Sequence, residues 1–232
     1  MSLSTSGIFY NKLSEKREDS ADLKSCIEKT VTKLLVSETD LKKPGILLGK
    51  IQCGKTRAFL GVIALAFDNG YDIAIVLTKG TKPLTEQTLK RLNNDFKDFI
   101  SEKLLQVHDI MSFPGNLTKY ELDQKMVIVA KKQIDNLRYV LDAITTKYPE
   151  LKGKKVLIID DEADFAGLSF HKNKETGNTE QGALANKIDQ IRTNASKSDF
   201  LQVTATPYSL YLQPDSLDGD NMVFLPKKPA FT

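Results

Sequence analysis

Only two cysteines, Cys26 and Cys53, occur in the 232 residues. That is too few for a disulfide framework, and both read as free thiols of a reducing cytosol. No apolar run approaches the ~20 residues a membrane span requires. The opening Met1-Ser2-Leu3-Ser4 lacks the charged-then-apolar signature of a signal peptide. These absences predict a soluble, cytoplasmic protein without a membrane partner. His108 and His171 are the only histidines and have no partners at metal-ligand spacing. Charge of neither sign dominates: 33 basic and 30 acidic side chains leave +3, too balanced to argue nucleic-acid binding from charge alone. Arginine is scarce, with Arg17, Arg57, Arg91, Arg138 and Arg192 scattered singly.

What is present is organised around Gly49-Lys50-Ile51-Gln52-Cys53-Gly54-Lys55-Thr56. The apolar run Ile46-Leu47-Leu48 precedes it, and Arg57 to Leu65 reads as a buried helix. Strand, glycine-bounded loop ending in Lys-Thr, then helix is the context in which G-x-x-x-x-G-K-[ST] cradles phosphate. Gly49 and Gly54 let backbone N–H groups curl around an anion, and the helix N-terminus adds partial positive charge. Lys55 reaches the β- and γ-phosphates and the Thr56 hydroxyl ligates Mg²⁺. The cofactor-binding set is therefore Gly49 to Thr56 with Arg57. The plainer alternative is an ordinary strand-to-helix turn, but the pattern arises by chance only about once in a hundred chains of this length.

Along the chain, Ser20 caps a helix through Leu23, Ile27, Leu34 and Leu35 to about Ser37. Residues 1–20 are polar apart from Ile8-Phe9-Tyr10. Buried strands are predicted at residues 72–78, 126–130, 156–159 and 200–203, and a weaker one at 104–107. Helical spacing joins Leu84, Leu92, Phe96 and Phe99, then Ile134, Leu137, Leu141, Ile144 and Tyr148, then Leu184, Ile188 and Ile191. Residues 111–125 and 165–181 read as loops, the second a mobile one. Apolar strands alternating with amphipathic helices predict a three-layer α/β domain with a mainly parallel sheet and ligands at the strands' carboxyl ends.

Two further motifs fall at such ends. In Ile158-Ile159-Asp160-Asp161-Glu162-Ala163-Asp164, Asp161 is placed to hold Mg²⁺, a hard ion that takes carboxylate and water oxygens. Glu162 is placed to deprotonate a water attacking the γ-phosphate. Solvated acids ending a strand are the commonplace alternative. Thr204-Ala205-Thr206-Pro207 follows the last strand, where small hydroxyl side chains can bond those acids. Alone the tetrapeptide is weak, since Thr and Pro are frequent at strand ends.

Together and in this order the motifs resemble those of superfamily 2 helicases and translocases. Gly49–Thr56 looks like motif I, Asp161-Glu162-Ala163-Asp164 spells the DEAD form of motif II, and Thr204-Ala205-Thr206 looks like motif III. Val76-Leu77-Thr78, with Gln87 downstream, is a looser match to motif Ia. Across residues 44–212 the phrasing, with Val129-Ala130-Lys131-Lys132 and Tyr208, is similar to the Z-one-type ATPase domain, whose bacterial members are linked to DNA restriction and phage defence; the departure is Cys53 where serine is expected. The resemblance implies a RecA-like domain that binds ATP and Mg²⁺ and hydrolyses ATP to move on or remodel nucleic acid, DNA rather than RNA. Lys55, Asp161 and Glu162 would be catalytic, Asp164, Thr204 and Thr206 would carry coupling, and Thr78, Lys79, Lys82, Lys131 and Lys132 would meet the sugar-phosphates. For those lysines a solvated loop is an equal alternative. Phe9, Tyr10 or Arg17 could stack on adenine, with packing as an equal alternative.

No Gln-x-x-Gly-Arg-x-x-Arg-like segment exists in the sequence. The expectation is therefore an N-terminal helical extension (1–40), a RecA-like domain (41–212) and a linker (213–232) toward a second RecA-like domain that supplies an arginine finger. The isolated domain should hydrolyse ATP weakly, and any nuclease residues should lie elsewhere. A phosphate-loop switch that never touches nucleic acid is the alternative. A small-molecule kinase is disfavoured by the Asp-Glu pair.

Overall fold

The computed structural model describes residues 3–41, 43–49, 54–79, 81–161, 163, 170–172 and 179–205, with backbone alone at 170–172 and 179–181. Six parallel strands form the central sheet: β1 (Gly45–Leu48), β2 (Ile73–Thr78), β3 (Leu105–Asp109), β4 (Lys125–Lys131), β5 (Lys155–Asp161) and β8 (Lys197–Thr204), in the order β1-β8-β5-β2-β4-β3. β6 (Phe170–Lys172) and β7 (Thr179–Gln181) pair antiparallel with each other. Their pairing places a short two-stranded ladder within the stretch read from sequence as a loop.

Alternation divides the core between two faces. Ala74, Val76, Val127, Val129, Leu157, Ile159, Leu201 and Val203 pack against α1 (Ile8–Lys16), α2 (Ala21–Val36), α3 (Lys55–Asp68), α4 (Lys82–Asp95) and α5 (Lys97–Ser101). Ile73, Ile75, Met126, Ile128, Val156, Ile158 and Phe200 pack on the other face against α7 (Ile134–Asp142) and α8 (Ala183–Thr193). Strands buried on both faces are continuous apolar runs, which is why β2, β4 and β5 stand out in the sequence. The three-layer, parallel α/β arrangement agrees with the expectation.

Ser20 caps α2 by accepting from the Leu23 N–H, as its type predicts. α1 was not anticipated. Its only strongly apolar burial is Phe9, Tyr10 and Leu13, and its first N–H groups are capped across the fold by Asp68, which accepts from Phe9 N (3.1 Å) and Tyr10 N (2.8 Å). Residues 111–125 also hold more than a loop: α6 (Lys119–Asp123) starts at a reciprocal Thr118/Glu121 capping box. At the amino end of the sheet Asp199 is fully buried and accepts from Tyr71 Oη (2.7 Å) and Thr39 Oγ1 (2.9 Å). Burial and that carboxylate push the Tyr71 phenol far above its usual range, so the network is a fixed structural joint.

Candidate nucleotide site

The glycine loop leaves the edge strand β1, and the acidic motif leaves β5. The two strands are not neighbours, since β8 lies between them. Two inter-strand steps put the tips roughly 10 Å apart. All three strands are parallel and end level: Leu48 pairs with Thr204 and Asp161 with Val203. β8 ties both motifs down. The Gly49 N–H donates to the Thr204 carbonyl and the Ala163 N–H to the Val203 carbonyl, each at 3.0 Å.

Gly54 stands at the N-cap of α3 with φ +78°, a left-handed conformation that glycine adopts freely. Among the described residues no side chain caps α3, and its first turn holds no acid, so the N–H groups at the start of this 14-residue helix are suited to an anion. At Gly49 a Cβ would stand 2.3 Å from Lys55 Cγ; the lysine stem lies over the glycine. Lys50, Ile51, Gln52 and Cys53 are outside the described residues.

Beside this helix start is an open cleft of about 560 Å³ lined by Lys55, Thr56, Arg57, Arg17, Arg91 and Asp95, among others. Three arginines scattered in sequence therefore converge. Fully buried Asp19 accepts from Arg57 Nε (2.7 Å) and pairs with Arg17 Nη2, while Arg17 Nη1 lies 3.3 Å from Asp95. Arg91 Nη1 donates to Thr56 Oγ1 at 2.8 Å. Sequence reasoning missed this cluster because three of its four contacts join residues 35 or more positions apart. The Arg17/Asp19 pair, two residues apart, was its only local trace.

The base-stacking candidates take the packing alternative. Phe9 and Tyr10 are buried in the core, Phe9 stacked with Phe99 at 4.8 Å between ring centroids. Arg17 borders the cleft, but its side chain is only 7 % exposed and held by two carboxylates, so it offers no open face to a ring.

By strand alternation Asp161 lies on the α3 face, with Leu157 and Ile159, and Asp160 on the α7/α8 face, with Val156 and Ile158. Asp161 is half-buried and Asp160 buried. Glu162, Asp164 and Thr206 are outside the described residues. Thr204 is buried at the β8 tip.

The nucleic-acid candidates divide. Lys79 and Lys82 are exposed and Lys131 half-buried. Thr78 is buried, its hydroxyl 2.9 Å from that of Thr85. Lys132 has a side chain only 7 % exposed, with its ammonium 2.9 Å from Asp160 Oδ1. Both side chains are thus enclosed by the fold, unlike those of Lys79 and Lys82.

Among the described residues no group of three or more His, Cys, Asp or Glu could hold a metal ion, and no helix is long and apolar enough to cross a membrane. Mg²⁺ on a nucleotide needs less from the protein, since phosphates and water complete its octahedron. The Thr56 hydroxyl in the first turn of α3 and the Asp161 carboxylate at the β5 tip are hard oxygen donors that suit it.

The family described as "Type III restriction enzyme, res subunit" matches residues 18–209. The chain belongs to this family. Solved structures agree on the fold of the res-type domain. "DEAD-box helicase Mss116 bound to ssRNA and UDP-BeF" superposes with TM-score 0.51 at 18% identity over 86% of this chain and 41% of that one. The S. cerevisiae Dbp5 L327V structure, bound to Nup159, Gle1 H337R, IP6 and ADP, superposes with TM-score 0.50 at 17% identity over 86% and 46%. A nuclease-deletion mutant of the Type ISP restriction-modification enzyme LlaGI, in complex with a DNA substrate mimic, gives 0.50 at 18% over 82% and 17%. The res-type domain thus spans less than half of each of these chains. No curated protein matches it. Its architecture is the RecA-like one of superfamily 2 helicases, as the motifs led us to expect.

Proposed function

We propose that this res-type domain binds ATP with Mg²⁺ and hydrolyses it to act on nucleic acid, DNA in preference to RNA, as part of a restriction or defence protein. The observation that carries the reading is the level ending of β1, β8 and β5 beside an uncapped helix start and a cationic cleft. Backbone N–H groups of α3 and the Lys55 ammonium would hold the phosphates, and Arg57 would border them. Thr56 and Asp161 would hold the metal, which when bound supplies charge neutralisation at the β- and γ-phosphates. Glu162 would take the proton of the attacking water, and Asp164, Thr204 and Thr206 would relay the state of the site. Lys79, Lys82 and Lys131 are the remaining candidates for sugar-phosphate contacts.

Turnover by this chain alone should be slow, because an arginine from a second RecA-like domain is worth orders of magnitude in this chemistry. The test is calorimetry of the chain with a non-hydrolysable ATP analogue and Mg²⁺. The unaltered chain should bind, and Lys55→Ala should lose at least tenfold in affinity, about 1.4 kcal/mol. An unchanged affinity in Lys55→Ala refutes the site. In the full-length protein Glu162→Gln should bind ATP without turning it over, and DNA should stimulate the unaltered enzyme. Nucleotide binding with no response to DNA or RNA would instead favour a phosphate-loop switch.

A further inference from the structure

Lys132 directly follows β4 with a side chain that is nearly enclosed, yet its ammonium serves another strand. Between β4 and β5 lies β2, and Lys132 bridges all three. Its backbone N–H donates to the Thr78 carbonyl at the β2 tip (2.9 Å). Its Nζ reaches over that tip to Asp160 Oδ1 (2.9 Å) and donates to the Asp161 carbonyl oxygen (3.1 Å). The side chains of the ion pair are 7 % and 4 % exposed. The preceding residue is fixed as well, since the Lys131 N–H donates to Oδ1 of buried Asn136 (3.2 Å).

Burying such a pair is a costly way to fill space, since apolar residues of similar volume usually do as well or better for stability. What the pair supplies here is position and charge. Asp160 lies on the sheet face opposite Asp161, so it is no ligand for a metal on the α3 side. Three acids in succession, Asp160-Asp161-Glu162, would repel an anionic nucleotide. The ammonium offsets one of those charges and grips the backbone of the next.

We propose that Lys132, acting through Asp160 and the Asp161 backbone, is a positioning residue for the metal-binding acid, and not a nucleic-acid contact. The inference rests on the nucleotide reading above. Metal ligands lose tenfold or more in affinity when an outer partner that orients them is removed. Because Lys132→Met alone would strand a buried carboxylate, the informative variant is Lys132→Met with Asp160→Asn, which removes both charges.

The experiment uses this chain, a non-hydrolysable ATP analogue and a Mg²⁺ titration, followed by calorimetry, with thermal melting beside it. The double variant should melt within a few degrees of the unaltered chain and bind the analogue equally in EDTA. It should need about tenfold more Mg²⁺ to reach its metal-bound affinity. An unchanged Mg²⁺ requirement overturns the proposal. So does a double variant that fails to fold, which would make the pair a stability element. Failure of the underlying nucleotide reading looks different: the unaltered chain would then bind no analogue with or without Mg²⁺.

Discussion

Asp19 is the carboxylate on which the arginine cluster beside the glycine loop closes, and removing its charge while keeping its shape isolates that role. In Asp19→Asn the amide oxygen can still accept from one arginine, but the amide NH₂ must face the other guanidinium, donor against donor. Asp19 has no side-chain exposure and Arg17 only 7 %, so water cannot step in. Breaking a buried pair by removing one partner costs about 3–5 kcal/mol. Two features favour the low end: Arg17 keeps Asp95 at 3.3 Å, and the Arg57 side chain is 44 % exposed and can rehydrate. The expectation is therefore about 3 kcal/mol of lost stability, which in a chain of this length lowers Tm by roughly 6–12 °C.

Differential scanning calorimetry and urea unfolding, with an unchanged m-value, would measure it. The same logic makes a second variant informative. Arg17→Met with Asp19→Leu removes the most buried pair outright and should cost less than Asp19→Asn alone, since no buried guanidinium is left without its carboxylate. A Tm loss below about 3 °C for Asp19→Asn, equivalent to roughly 1 kcal/mol, would refute the view that Asp19 anchors the cluster.

Three other outcomes follow from the geometry. Gly54→Ala meets nothing closer than Arg57 Cβ at 3.8 Å, but it forces a Cβ into φ +78°; thermal unfolding should show a loss of about 1–2 kcal/mol from backbone strain alone. Arg91→Gln should strengthen Mg²⁺-dependent binding of an ATP analogue a few-fold, because Arg91 holds Thr56 Oγ1 and such a hydrogen bond is worth about 0.5–1.5 kcal/mol; weakened binding would place Arg91 on the phosphates instead. Burial holds the His108 imidazole below its ordinary value despite the opposing charge of Glu121, so the unfolded chain binds that proton more readily. Stability should therefore fall as pH drops below about 6.5, and urea midpoints of His108→Gln should fall less between pH 7 and 5.5 than those of the unaltered chain.

How much of this was legible in sequence depended on range. β2, β4 and β5 were readable because burial on both faces leaves unbroken apolar runs, whereas Lys125, Lys131, Asp160 and Asp161 extend the ladders past those runs into polar residues. β3 read weakly because it is an edge strand whose only buried side chain is Leu105. The elements flanking the glycine pattern were legible, since the apolar run before it and the helical one after it are contiguous in the chain and form β1 and α3. The arginine cluster and the Lys132–Asp160 pair were not, since each joins residues far apart in the chain. Strand order was equally hidden: the amino acids of β8 mark a buried strand, but nothing local says that it inserts between the two motifs.

That insertion constrains how motif III could act. β8 keeps seven residues in register with β5 and four with β1, and successive carbonyls at its tip accept from Ala163 and Gly49. A slip of one residue would turn Phe200 and Val203 out of their opposite core faces and break both tip bonds, a change that buried register strongly opposes. The strand is thus a fixed strut between the phosphate loop and the acids. If this motif relays the state of a bound nucleotide, translation of β8 is not the route, because it would break the tip bonds that hold both flanking motifs.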